Sequence, residues 1–465
     1  MKKALRAVLA AGVAVGLAGC GSEEPTTTSQ VTPAGETKEP IFQPHDWQPK
    51  TRDLEGFGKE YTDAIKITDG IYQARGTANA VMVATDEGNV LIDTGLAGRP
   101  LQENTLADKL NRVNGKPFSH IILSHAHADH YSGIKEFADD NTEVIVHREF
   151  LFNQQYLKDL IPHVMPKNKL FFPNDVPDLP DFGGLTTKLI QKAYPIVEPE
   201  VVIDSAPYEF TAGGQKFVVY HTPGAEGYDN ISVWMPERKI LFTGDVFGHM
   251  FGMWPNLTTI RGERARFTRP YVDSLNLMLE LEPEMLIPSH FYPIEGKQYI
   301  ADTIRKTRDA VQYVDDAVIE GMNSGKDVYT LMEEIKLPDE LYLFEAHGKL
   351  SWGVKSIWEA YTGWFKMETA NEMYNVPVQA TYPELIELVG STEPVLKKAQ
   401  SNLDAGNLEK ALYFIDMVAA VEPENAQNKK LKYEVLVAMK ERANEVNHYE
   451  TMFLNDLVTR AKAAL

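Results

Sequence analysis

From about residue 60 the chain consists of short apolar runs that stop at polar or turn-forming residues. "GIYQARG", "AVMVATDEGNVLIDTG" and "FSHIILSHAHADH" predict a strand, a hairpin and a strand that ends in a polar loop. Later runs of the same kind are "EVIVH", "QKFVVYHTPG", "NISVWMPERKILFTGD" and "MLIPSH". Several of them end in His, Asp or Gly, which gathers polar groups on one rim of a sheet. With helical stretches between the strands, the pattern predicts an α/β domain, placed at 53–304. Beyond it the period changes. Ile304, Val311, Val314, Val318 and Met322 recur at helical spacing and form one apolar face, whose end Gly321 and Gly325 loosen. Further on, "VLKKAQSNLDAGNLEKALYFIDMVAAVEPEN" carries Gly406, Ala411 and Pro423 at the offsets of a tetratricopeptide-type helical hairpin. One such unit cannot stand without stacked neighbours, so 305–465 is expected to be a compact all-α domain.

The first residues follow a different rule. In "MKKALRAVLAAGVAVGLAGCGS" a basic start precedes an apolar run too short to span a membrane, the pattern of a secretory signal over 1–19. Leu17-Ala18-Gly19-Cys20 resembles a bacterial lipobox, whose cysteine becomes the lipidated first residue of the mature chain. Cys20 is the one cysteine in the sequence, so the mature fold is expected to hold no disulfide despite export. Gly21 is not the aspartate that retains lipoproteins at the inner membrane, which favours the outer membrane of a bacterial envelope. Residues 20–52, rich in Ser, Thr, Pro and Glu, read as a disordered tether. At 43% apolar and 24% charged the composition is globular. The net charge of −20 argues against nucleic acid, and it requires any anion site to carry its own local positive charge.

Candidate chemistry concentrates in "SHAHADHYSG". His125, His127, Asp129 and His130 lie within six residues of a chain that has 12 histidines in all. Neutral imidazoles and a carboxylate suit zinc and similar divalent ions. Alternation along an extended loop directs His125 and His127 to one ion, Asp129 and His130 to another. Together with "NVLIDTG", "HTPG", "FTGD" and "PSH" in that order, this motif resembles the metallo-β-lactamase-fold hydrolases. The resemblance implies an αββα sandwich with a two-zinc site on one edge. It makes Asp245 the bridging carboxylate and His290 the last imidazole ligand. Asp93 then belongs to the buried support of the site.

Most members of that fold supply another histidine just after the "TPG"; here the slot reads Ala225-Glu226. The alkyl sulfatases place a glutamate there and carry a helical dimerisation domain, which "HGKLSWGVKSIWEAYTGWF" also resembles. That resemblance implies Glu226 as a metal ligand, with His221 as its rival, and a homodimer formed through the helical domain. It also implies that Asn256 and Arg261 in "WPNLTTIRGER" hold the sulfate, since a guanidinium fork matches a tetrahedral oxyanion. A surface loop is the plainer alternative for that basic stretch.

The chain departs from the family pattern at two points. "GHMFGMW" lengthens the interval between Asp245 and Asn256, and His347 stands where the family signature has a tyrosine, so His249 and His347 are the candidate proton donors. A sterol-carrier-like domain is not expected after the helices. Phe247, Phe251, Met253 and Trp254 fit either an apolar tail groove or the core. The expected function is therefore di-zinc hydrolysis of a small anionic ester, an alkyl sulfate, with attachment to the membrane by the lipid anchor alone. The alternatives are hydrolysis of a lactone, thioester or phosphodiester, and a non-catalytic lipoprotein with a structural metal site. Structural zinc sites are usually closed by cysteine, and none is available here beyond Cys20.

Overall fold

The computed structural model describes residues 61–97, 104–173, 184–257 and 260–465. The signal, the tether and Cys20 lie outside the described residues. The first sheet has seven strands in chain order: β1 (Ile65–Thr68), β2 (Ile71–Ala74), β3 (Ala80–Val83), β4 (Asn89–Ile92), β5 (Phe118–Ile122), β6 (Glu143–His147) and β7 (Val201–Ile203). It is antiparallel through β4 and parallel from β4 to β7. The second sheet has six strands: β8 (Tyr208–Ala212), β9 (Gln215–His221), β10 (Ile231–Met235), β11 (Ile240–Gly244), β12 (Met285–Pro288) and β13 (Ile294–Glu295). Only the β11–β12 pair in it is parallel.

The sheets pack face to face. Val81, Val83, Val90, Ile92, Ile122 and Ile145 of the first meet Phe217, Val219, Ile231, Val233, Phe242 and Ile287 of the second. Each such side chain, fully buried, contributes about 1.5–3 kcal/mol. The outer face of the first sheet is covered by helices that bring Leu110, Tyr131 and Phe150 onto it. The outer face of the second is covered by helices Thr268–Leu281 and Lys297–Asn323, through Leu275, Ile304, Val311, Val314 and Val318. Because both faces are covered, β4, β10, β11 and β12 are buried at every position rather than at alternate ones. This is the αββα sandwich, and a helical region follows it.

The boundary expected at 304/305 lies within a helix. That helix, Lys297–Asn323, has an apolar face that packs into the same core as Leu331, Val354 and Trp358. Helical periodicity shows that such a face is buried, but not against which layer. The predicted hairpin forms from helices Glu393–Asp404 and Leu408–Val421, turning at Gly406 with φ of +75°. Helix Ala426–Ala443 stacks on it and closes a small core of Ala399, Ala411, Ile415, Leu431 and Val435. Among the described residues no helix is long and apolar enough to cross a membrane.

Candidate metal centre and anion site

The polar rim forms where two parallel strand pairs end side by side, β4–β5 in one sheet and β11–β12 in the other. Asp93 follows β4, Ser124 and His125 follow β5, Asp245 follows β11, and Ser289 and His290 follow β12. The close approach of the two sheets requires Gly244. Its φ is +57°, and a Cβ there would lie 2.4 Å from Asn230 Oδ1 and 2.8 Å from Ser124 Cβ.

Each imidazole of the rim has one nitrogen engaged from behind. His130 Nδ1 lies 2.9 Å from Asp93 Oδ2, and the same carboxylate accepts from Ser124 N, Ser124 Oγ and Ser289 Oγ. His290 Nδ1 donates to Thr77 O at 2.7 Å. His127 Nε2 lies 3.1 Å from Glu263 Oε2, and His125 Nδ1 lies 3.0 Å from Ser124 Oγ. The other nitrogens converge around Asp245. His290 Nε2, His130 Nε2 and His125 Nε2 stand 3.1, 3.4 and 3.9 Å from Asp245 Oδ2. Asp129 Oδ2 stands 3.6 Å from His130 Nε2 and 3.7 Å from His290 Nε2. His125 Nε2 and His127 Nδ1 approach each other to 2.9 Å.

This arrangement is what a cation requires. A ring whose far nitrogen donates to an acceptor turns a lone pair inward, toward a carboxylate that is itself an acceptor. Without a positive charge between them the two repel. Among the described residues, His130 Nε2, Asp245 Oδ1 and His249 Nδ1 are buried without a hydrogen-bond partner, which is costly unless an ion satisfies them. In the metal-free chain protons take over part of that task. Burial disfavours the charged form of His130, yet Asp245, Asp129 and Asp93 hold it well above the usual imidazole range. Burial likewise opposes the Asp245 carboxylate, but His290 and His130 keep it well below the usual carboxylate range. His125–His130–Asp245 and Asp129–His130–His290 are overlapping groups, sharing His130, that could hold a metal ion.

Glu226 is also buried. Its Oε2 pairs with Arg266 NH1 at 3.0 Å, and its Oε1 accepts from Asn256 Nδ2 at 3.3 Å. His347 Nδ1 is 3.2 Å from Oε1 but out of hydrogen-bond alignment. Glu226, His249 and His347 form a group of their own. The His249 ring stacks on His290 at 4.1 Å between centroids and leans on His347 at 4.2 Å. Burial lowers both His249 and His347 below the usual imidazole range. His221 stands elsewhere: its ring stacks on His147 at 3.7 Å and its Nε2 meets Tyr228 O at 2.9 Å.

Arg261 is part-buried beside this cleft, 3.1 Å from Glu263 Oε1, with its guanidinium against the rings of Phe172 and Tyr449. Asn256 Nδ2 faces Glu226. Phe247, Phe251 and Trp254 are core residues, and Met253 packs with Met250, Phe291 and Ala346, so these four do not form a tail groove. Sequence reasoning missed Glu263, Arg266 and Tyr449. Within "RGERARF" the first two look like any exposed charge run, and Tyr449 arrives from helix His448–Ala463.

Residues 74–290 match the Metallo-beta-lactamase superfamily and residues 328–456 match Alkyl sulfatase dimerisation. The chain pairs a metallo-beta-lactamase domain with an alkyl sulfatase dimerisation domain. The first of these implies divalent metal binding, in keeping with the groups around Asp245. An alkyl/aryl-sulfatase of Saccharomyces cerevisiae is 24% identical over 396 residues, 79% of this chain and 59% of that one. A linear primary-alkylsulfatase of Pseudomonas sp. is 26% identical over 338 residues, 68% of this chain and 62% of that one. The chain thus spans about three fifths of the length of these curated relatives. The solved structure of a stereoselective inverting sec-alkylsulfatase from Pseudomonas sp. superimposes with a TM-score of 0.72. It is 20% identical, over 86% of this chain and 65% of that one, which establishes a shared fold.

Proposed function

We propose that the protein is a di-zinc hydrolase that cleaves alkyl sulfate esters to an alcohol and inorganic sulfate. The observation that carries this reading is a largely enclosed guanidinium, Arg261, beside a cleft of inward-facing imidazoles and carboxylates. A cation so placed in a chain of net charge −20 is what a tetrahedral anion needs, and a neutral ester does not need it. The pairing of the two domains and the names of the relatives point the same way.

His125, His127, Asp129, His130, His290 and Asp245 would hold the ions, with Glu226 completing the set if it leaves Arg266. Zinc held there would activate water at neutral pH and offset negative charge on the ester oxygens. The chain's own groups do the rest. Arg261 and Asn256 orient the sulfate, and Asp93, Glu263 and the Thr77 carbonyl fix the ring orientations. His249 and His347 present buried nitrogens for the proton that the departing oxygen takes up. In this reading the helical region also joins two copies, and lipid on Cys20 anchors the mature chain to the envelope membrane.

The deciding experiment is a panel of alkyl sulfates, aryl sulfates, lactones and phosphodiesters tested on zinc-reconstituted protein. Release of sulfate from an alkyl ester is expected. Turnover confined to lactones or phosphodiesters would overturn the sulfatase reading. Cys20→Ser should move the protein from the membrane fraction to the soluble one, and continued membrane association would refute the lipid anchor.

A further inference from the structure

We infer that Glu263 is a positioning residue that joins the metal cleft to the anion site, holding His127 with one oxygen and Arg261 with the other. This rests on the metal-hydrolase reading above. The carboxylate is part-buried, and both of its oxygens have a partner. Oε2 receives His127 Nε2 at 3.1 Å and Arg266 NH2 at 2.6 Å, and Oε1 faces Arg261 NH2 at 3.1 Å. Arg266 in turn pairs with Glu226. Two guanidiniums and two carboxylates thus balance within one cluster.

Two consequences follow, of opposite sign. An acceptor at His127 Nε2 keeps the proton on that nitrogen and leaves the Nδ1 lone pair facing His125 Nε2, 2.9 Å away. Removing the charge of Glu263 should therefore weaken metal binding. The same carboxylate also offsets the charge of Arg261, so its removal leaves the guanidinium freer to attract an anion. A residue that only held the fold together would weaken both functions when replaced.

The test compares wild type with Glu263→Gln, which keeps size and one acceptor oxygen. Zinc affinity is measured by competition with a chromophoric chelator, and a loss of roughly 10- to 100-fold is expected, the usual effect of removing an orienting partner. Inorganic sulfate is then titrated at saturating zinc, and tighter binding is expected. In the metal-free proteins, nitrogen-15 NMR should show His127 protonated at Nε2 in wild type and at either nitrogen in the variant. Unchanged zinc affinity, or weaker binding of zinc and sulfate together, would overturn the assignment. If wild type takes up no divalent ion, the hydrolase reading fails, and the His127 resonance still decides the role of Glu263. Glu263→Asp, which keeps the charge but shortens the reach, guards against a variant that fails to fold. Its expected behaviour is a wild-type sulfate affinity with weakened zinc binding, and equal loss of both would count against the inference.

Discussion

Two regions of the molecule leave groups unsatisfied, in opposite senses. In the cleft, polar atoms of His130, Asp245 and His249 are buried without hydrogen-bond partners among the described residues. Between residues 363 and 389 apolar side chains are exposed without cover: Trp364 at 77%, Met367 at 82% and Leu388 at 84%. The first condition is relieved by a small charged ligand, because a divalent ion replaces the water those atoms lost. The second is relieved by another apolar surface. The contrast separates what the molecule holds inside from what it docks outside, and each half can be tested without disturbing the other.

The largest effect is expected in the cleft. Asp245→Ala removes the carboxylate on which the histidines converge. Zinc affinity should fall by more than the roughly 10²-fold that an outer partner is worth. Hydrolysis should fall with it, while circular dichroism and the oligomeric state stay as in wild type. Near-normal zinc content in this variant would mean that the convergence of imidazoles serves packing alone.

Next is Arg261→Ala, which removes a charge-assisted bond of about 1.5–3 kcal/mol and should raise KM for an alkyl sulfate roughly 10- to 100-fold. Arg261→Lys should recover only part of this, since a point charge cannot form two parallel hydrogen bonds. Steady-state constants unchanged in both variants, with zinc still bound, would remove the anion site.

In the exposed region Leu388→Asp should loosen a dimer by about tenfold or more, a fraction of the transfer energy of one leucine side chain. Light scattering across a concentration series reads this directly. A wild-type profile would place the contact elsewhere on the helices.

The smallest effect concerns what burial alone does to an imidazole. Carboxylates hold His130 up in the cleft. Outside the cleft, burial and the stacked His221 push His147 down to about 4. An unfolded histidine titrates near 6.5, so as pH falls from about 6.5 to about 4 the unfolded chain takes up the proton first. Stability contributed by His147 is present above that window and is lost through it. His147→Asn keeps an acceptor for the Glu149 N–H, so the urea midpoint should depend less steeply on pH between 7 and 4.5 than in wild type. Equal slopes would show that the pair is solvated.

How much of this could be read from the sequence depends on the range of each contact. The strands ending in "LIDTG", "LSH", "FTGD" and "PSH" are legible because alternation and turn residues act locally, and the four-residue set in "SHAHADH" because its spacing is carried by one loop. Glu263 is not legible, since its partner His127 lies 136 residues away and nothing near it marks it as part-buried. The orientation of Glu226 depends in the same way on Arg266, which sequence alone leaves among four arginines of one loop. The apolar stretch after Gly363 has no period to read, because it is made of short single turns.

The segment that carries His347 is pinned from a distance. Asn447 Nδ2 donates to the carbonyls of Glu345, His347 and Gly348, His448 N donates to Ala346 O, and the Tyr449 ring lies 4.5 Å from that of His347. During synthesis, then, one wall of the cleft has to wait for residues about a hundred positions downstream. A nascent chain would be unable to complete the site until residue 449 had cleared the ribosome and, if the leader acts as a signal, the export channel. Timing of activity would then be written into the order of the polypeptide.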